Sequence, residues 1–158
     1  MCGNVPRAIW LSNVRYVQPV DSPEPSCPIC ANGEPLDVVA EFANTWITAQ
    51  SEAPLPGYVC VVSKRHVVEP FELPTPELIA FWEEAMLAAR TVSELFRPTK
   101  MNYEIHGNTV PHLHLHLFPR WRNDRFSGRP IDGRDATPRT AEDRAAILKA
   151  LASLQPSD

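Results

Sequence analysis

The chain has 158 residues, 44% of them apolar and 22% charged, which predicts one domain with a packed core and excludes a disordered or coiled-coil protein. Its formal net charge of −4 argues against binding nucleic acid or anionic membranes through bulk electrostatics, so an anionic ligand must be held locally. Seventeen prolines against six glycines predict stiff, irregular connections.

The start, Met1-Cys2-Gly3-Asn4-Val5-Pro6, lacks the basic-then-apolar order of a signal peptide, and no stretch approaches the roughly 18 apolar residues of a membrane span. The expectation is a cytoplasmic protein. Residues 1–36, punctuated by Pro19, Pro23, Pro25, Pro28 and Pro35, read as an irregular arm carrying Cys27-Pro28-Ile29-Cys30. With Cys2 and Cys60, these cysteines are too few and too scattered for a disulfide framework, which leaves reduced thiols or a metal site. Residues 37–42 and 45–49 read as a hairpin around Ala43-Asn44, and residues 58–63 as a short buried strand that delivers Lys64, Arg65 and His66. Thr75-Pro76-Glu77 has the chemistry of a helix start: a capping hydroxyl, a proline at the first turn and an acid near the positive end of the dipole. The helix should run to about Arg97, before Pro98, with Leu78, Trp82, Ala85, Met86, Ala89, Val92 and Phe96 on its apolar face. That stripe reads as core packing, part of which can also serve a subunit interface.

Residues 102–105 form a strand candidate, followed by a turn at His106-Gly107-Asn108 and a second strand over 112–118. Residues 119–139 read as a loop carrying Arg120, Arg122, Arg125, Arg129, Arg134 and Arg139. Thr140 and Asp143 have capping-box spacing, so a short C-terminal helix should occupy residues 140–155. The predicted architecture is a single α+β domain over 1–158, its core at 37–118 built on an antiparallel sheet of about five strands.

His112-Leu113-His114-Leu115-His116-Leu117-Phe118 alternates strictly, which puts three imidazoles on one strand face and leucines on the other. Five histidines would produce this spacing by chance roughly once in two hundred such chains. One reading is a solvated face. A metal held by all three fails on geometry, because the first and third Cα atoms lie about 13 Å apart on a strand, whereas Zn–N bonds are about 2 Å. A third reading is nucleophilic catalysis, with His114 as nucleophile because both neighbours can orient or support it. Cys27 and Cys30 admit three readings of their own: half of a zinc site completed by two further ligands, a redox pair, or two unrelated thiols. Ala31-Asn32-Gly33-Glu34-Pro35 reads as a turn, where a redox pair would open a helix.

The seven residues from His112 to Phe118 resemble the histidine triad motif at every position. Pro56-Gly57-Tyr58-Val59-Cys60-Val61-Val62-Ser63-Lys64-Arg65-His66 resembles that family's first core strand and following turn. Gly107-Asn108-Thr109-Val110-Pro111 and Pro119-Arg120 resemble its bacterial flanks. The turn before the motif is shorter than in eukaryotic members. The resemblance spans residues 27–122 and implies a small α+β domain, commonly a homodimer, that binds nucleotides. It implies hydrolysis or transfer at the α-phosphate of nucleoside phosphoramidates or dinucleoside polyphosphates through a nucleotidyl-histidine. In this reading His114 attacks phosphorus and His116 hydrogen-bonds near the attacked phosphate. Asn108 and Thr109 contact phosphate or the departing group, with Asn102 and Gln50 as further contacts. Gln50 stands where the family often has an Asn or Asp that binds the ribose hydroxyls. Zinc-containing members hold one structural zinc with a CxxC pair, the histidine after the first core strand and the first triad histidine; Cys27, Cys30, His66 and His112 match those four. Two rival readings are a nucleotide sensor or interaction protein with incidental turnover, and a metalloenzyme that uses triad and zinc directly. His106 has no assigned role, and Arg120 or Arg122 either belong to a solvated loop or meet a polyphosphate tail by charge-assisted hydrogen bonds.

Overall fold

The computed structural model describes residues 24–154. Cys2, Pro19 and Pro23 of the arm, and residue 155 of the expected last helix, lie outside them. Elements run in the order α1 (Pro28–Asn32), β1 (Val38–Glu41), β2 (Thr45–Thr48), β3 (Glu52–Ala53), β4 (Val59–Ser63), α2 (Thr75–Phe96), β5 (Lys100–Glu104), β6 (His114–Arg120), β7 (Thr137–Pro138) and α3 (Ala141–Ala152). Five strands make one antiparallel sheet in the order β1-β2-β4-β6-β5, while β3 and β7 form a separate two-stranded ribbon. The protein is α+β.

The expected hairpin is β1–β2, closed by the Phe42 N–H on the Thr45 carbonyl at 2.8 Å. Glu84 of α2 holds its turn by accepting from Asn44 Nδ2 at 3.0 Å and Thr45 Oγ1 at 2.7 Å. All five residues of β4 are buried, as a central strand covered on both faces requires. Val59 and Val61 join Leu113, Leu115 and Leu117 against Phe81, Ala85, Ala88, Ala89 and Val92 of α2. Cys60 and Val62 point the other way, into a second apolar cluster with Leu55, Tyr58, Phe118 and Phe126.

Several expectations need correction. A helical turn, α1, lies inside the arm read as irregular, ended by Gly33 at φ +83°. Helix α2 begins at Thr75 itself, its cap is Pro74 with no side-chain cap bond, and it ends at Phe96 with Arg97 in the left-handed conformation. Its core anchor is Phe81, 1% exposed, whereas Trp82 and Met86 are each 37% exposed. Strand β6 starts two residues late because the His112 N–H turns back to the Val110 carbonyl.

The arginine-rich stretch is not a free loop. Arg120 grips Asp124 through Nε at 2.7 Å and Nη2 at 3.1 Å and also reaches the Phe126 carbonyl, with Phe126 fully buried. Arg139 is the second tether: its side chain is 1% exposed and donates to the Gln50 carbonyl, to Asp143 Oδ2 and to the Tyr58 carbonyl, at 3.0, 2.9 and 2.6 Å. The C-terminal helix has the cap predicted for it, Thr140 Oγ1 accepting from the Asp143 N–H.

Removing one partner of a buried ion pair strands the other charge and its hydrogen-bond acceptors. Arg139→Ala should therefore cost about 3–5 kcal/mol in urea denaturation. Arg134→Ala, at a side chain 90% exposed, should leave the midpoint in place.

Candidate active site and metal centre

Pairing of β6 with β4 sets His114 opposite Val62 and His116 opposite Cys60, on the sheet face turned away from α2. Burial of Leu113, Leu115 and Leu117, at most 1% exposed, commits the alternate positions to that face. The His114 and His116 rings meet edge to face, centroids 4.9 Å apart.

Each ring is oriented by a specific bond. His112 Nε2–H donates to the Ser63 carbonyl at 2.7 Å, so its Nδ1 carries a lone pair. His114 Nδ1–H donates to the His112 carbonyl at 2.6 Å, which leaves the His114 Nε2 lone pair with no hydrogen-bond partner among the described residues. His116 Nδ1 meets the Tyr58 hydroxyl at 2.7 Å. Burial, with the charges of His114 and His106 adding to it, pulls the His116 pKa down to about 4, so this ring is neutral at pH 7.

The His112 Nδ1 lone pair points into a four-residue cluster. It lies 3.4 Å from Cys27 Sγ, 3.7 Å from Cys30 Sγ and 3.3 Å from His66 Nδ1, and Cys30 Sγ lies 3.2 Å from His66 Nδ1. A tetrahedron with Zn–N near 2.05 Å and Zn–S near 2.3 Å has N–N edges of about 3.3 Å and S–N edges of about 3.6 Å. These four contacts are close to that spacing and all four donor atoms lie within 4.8 Å of one another, so the cluster can hold a metal ion. Residues from the arm, from the turn after β4 and from the start of β6 are thereby brought together as the sequence motif implies.

Two cavities meet at His116. One, of about 340 Å³, is walled by Ile29, Leu36, Val62 and His114; the other, of about 450 Å³, by Tyr58, Glu104, His106 and Ile131. Gln50, Asp37 and His116 line both. Gln50 reaches these cavities, and its Oε1 is buried without a hydrogen-bond partner. Asn102 does not: its Nδ2 donates to Glu104 Oε1, and it lines a different cavity beside Arg120 and Arg129. Asn108 and Thr109 are exposed in the turn before β6, after Gly107 at φ +64°. His106, unassigned from sequence, pairs with Glu104 Oε2 at 3.1 Å and stands 5.5 Å from the His116 ring. A larger cavity of about 860 Å³, bounded by Phe96, Trp121 and Thr140, holds none of the histidines.

Sequence reasoning misses Tyr58, Asp37 and Ile29. Tyr58 is detectable only once the β4–β6 register is known, because it then falls on the His116 face. Asp37 adopts φ +59°, an uncommon conformation for a side chain with a Cβ, and Ile29 lies between the two metal-facing cysteines. Cys60 is no nucleophile: burial pushes its thiol up to about 12.

A model described as the HIT domain matches residues 32–123. An AP-4-A phosphorylase of Mycobacterium tuberculosis is 31% identical over 110 residues, covering 64% of this chain and 55% of that protein. A bis(5'-nucleosyl)-tetraphosphatase (asymmetrical) of Schizosaccharomyces pombe is 31% identical over 75 residues, 44% of this chain and 41% of that protein. The chain spans about half the length of the curated relatives it matches. Among solved structures, a histidine triad protein from Marinobacter aquaeolei is 28% identical with a TM-score of 0.66, over 74% of this chain and 86% of that one. A Zn-bound histidine triad family protein from Mycobacterium smegmatis is 25% identical with a TM-score of 0.62, over 82% and 95%.

Unfolded His116 protonates near pH 6.5, folded His116 near 4. Between those values only the unfolded chain binds this proton, so stability falls as pH drops through the window, by about 3 kcal/mol from this ring. Denaturation at pH 7.5 and 4.5 should therefore show a smaller loss in His116→Gln than in the wild type.

Proposed function

The chain belongs to the HIT domain family, and from that premise we propose that it is a nucleotide hydrolase or transferase acting at the α-phosphorus of dinucleoside polyphosphates or nucleoside phosphoramidates. One observation carries this reading: the His112 carbonyl holds the His114 Nδ1 proton, which leaves Nε2 as a bare nucleophile at the cavity it lines together with His116. The apolar cavity with Ile29, Leu36 and Val62 suits a nucleoside, and Gln50 Oε1 is its free acceptor for a ribose hydroxyl.

In the proposed reaction the His114 Nε2 lone pair forms a bond to the α-phosphorus. The bond from phosphorus to the leaving group breaks, and the leaving group departs with that electron pair. Water, or another acceptor, then attacks phosphorus, the phosphorus–nitrogen bond breaks, and nucleoside monophosphate or its transfer product leaves with His114 regenerated. His116 hydrogen-bonds a phosphoryl oxygen, and Asn108 and Thr109 contact phosphate or the departing group. Asn102 contributes at most through Glu104, to which its side chain is bonded.

We assign the Cys27, Cys30, His66 and His112 cluster to a structural zinc: two thiolates and two imidazoles suit that ion, and four protein ligands leave no position open for catalysis. Bound there, zinc would clip α1 to the sheet and hold Ile29 in the cavity wall. Three free cysteines among the described residues suit a cytoplasmic setting. Exposed Ile79, Trp82 and Met86, on one face of α2, support a homodimer.

His114→Ala should lower release of nucleoside monophosphate from diadenosine tetraphosphate or adenosine phosphoramidate by on the order of 10³-fold or more; equal turnover would refute the assignment. Product analysis with inorganic phosphate present distinguishes a phosphorylase, which forms nucleoside diphosphate, from a hydrolase. Native mass spectrometry should give a dimer with one zinc per chain, retained in His114→Ala and lost in Cys27→Ser. Zinc loss in His114→Ala would instead favour a metal used directly by the triad.

A further inference from the structure

Tyr58 immediately precedes β4, and its ring stacks on Phe118 at 4.7 Å and on His116 at 5.9 Å between centroids. It is 6% exposed, among Leu55, Cys60 and Phe118. Burial holds its phenol well above the ordinary range, so the oxygen keeps its proton at working pH. The hydroxyl lies 2.7 Å from His116 Nδ1, with the Gln50 side chain and the Cys60 thiol also beside it, and of these groups the imidazole nitrogen is the strongest acceptor. A phenol has a single proton to give, and a neutral imidazole whose Nδ1 accepts must carry its own proton on Nε2. His116 Nε2 has no hydrogen-bond partner among the described residues, and His116 lines both cavities.

We propose that Tyr58 is a positioning residue for the reaction: by donating to Nδ1 it fixes His116 as the Nε2–H form, a hydrogen-bond donor for the substrate beside a His114 that presents a bare Nε2. Two residues apart on one strand, the two imidazoles are thereby set in opposite tautomers. One is a nucleophile and the other a donor to the phosphoryl oxygen or leaving group; His114 cannot exchange roles without losing its bond to the His112 carbonyl, nor His116 without giving up the proton donated by Tyr58. A donor aimed at oxygen that gains charge during attack stabilises the transition state more than the ground state. The purpose assigned to the pair rests on the nucleotide-transfer reading; its geometry does not.

The experiment uses the full chain labelled with nitrogen-15 in histidine. In the wild type the His116 resonances should give a protonated Nε2 and a hydrogen-bonded, unprotonated Nδ1. Tyr58→Phe keeps the stacked ring and removes only the hydroxyl. It should move the Nδ1 resonance to its unbonded position and lower kcat about tenfold, with KM changing less than twofold. Tyr103→Phe, at a tyrosine 47% exposed, should alter neither. A wild-type His116 protonated on Nδ1, a Tyr58→Phe spectrum identical to the wild type, or a displaced resonance with unchanged kcat would each overturn the proposal. Absence of turnover in the wild type with the Nε2–H form intact would instead overturn the nucleotide reading and sustain the pairing.

Discussion

Burial of Leu113, Leu115 and Leu117 against α2 commits the opposite face of β6 to imidazoles, and the placement of both sites follows from that commitment. A strand slipped by one residue would exchange the two faces. Each buried leucine contributes roughly 2 kcal/mol, so the slip would forfeit about 6 kcal/mol, on the scale of a whole domain's net stability. It would also drive polar rings with unmet hydrogen bonds into the α2 cluster. The apolar half of the motif is therefore what fixes the register of the chemical half.

With the face fixed, the rings are differentiated by their oxygen partners, though all three are the same residue type. The Ser63 carbonyl turns the lone pair of His112 toward two cysteines and His66, and the His112 carbonyl turns that of His114 toward the cavities. The His112 backbone thus orients the next histidine while its side chain joins the Cys27, Cys30 and His66 cluster, so the two groups share one residue. The arm is drawn into the same arrangement: Cys27 and Cys30 face the cluster, and Ile29 between them walls the cavity beside His114. Integrity of the cysteine–histidine cluster and shape of the cavity are coupled through one helical turn.

The legible parts of the site were those encoded by local period or spacing. Alternation over His112 to Phe118 is a strand whatever surrounds it, and Cys27 and Cys30 are close in sequence, so both features survive ignorance of the fold. Helix α2 is recognisable, but a stripe about 100° wide does not say which edge the sheet covers; Phe81 is inside while Trp82 and Met86 are outside. Charge is the more misleading signal. Arg120 and Arg139 lie in a run that reads as solvated, yet each is turned inward by an aspartate four residues on and by carbonyls whose position depends on tertiary structure. Tyr58 is illegible for a related reason: its partner is 58 residues away, and only the β4–β6 register brings the hydroxyl to Nδ1. Asn102 shows the converse, a polar residue near the motif in sequence whose side chain is bonded elsewhere.

The central claim is that His114, alone of the three, presents a nucleophilic nitrogen to phosphorus. Rapid mixing of the protein with diadenosine tetraphosphate, denaturing quench within one turnover and peptide mass spectrometry test it most directly. The account predicts a nucleoside monophosphate adduct on His114 that forms and decays at rates compatible with turnover. An adduct on His112 or His116, or turnover with no adduct on any histidine, would contradict it.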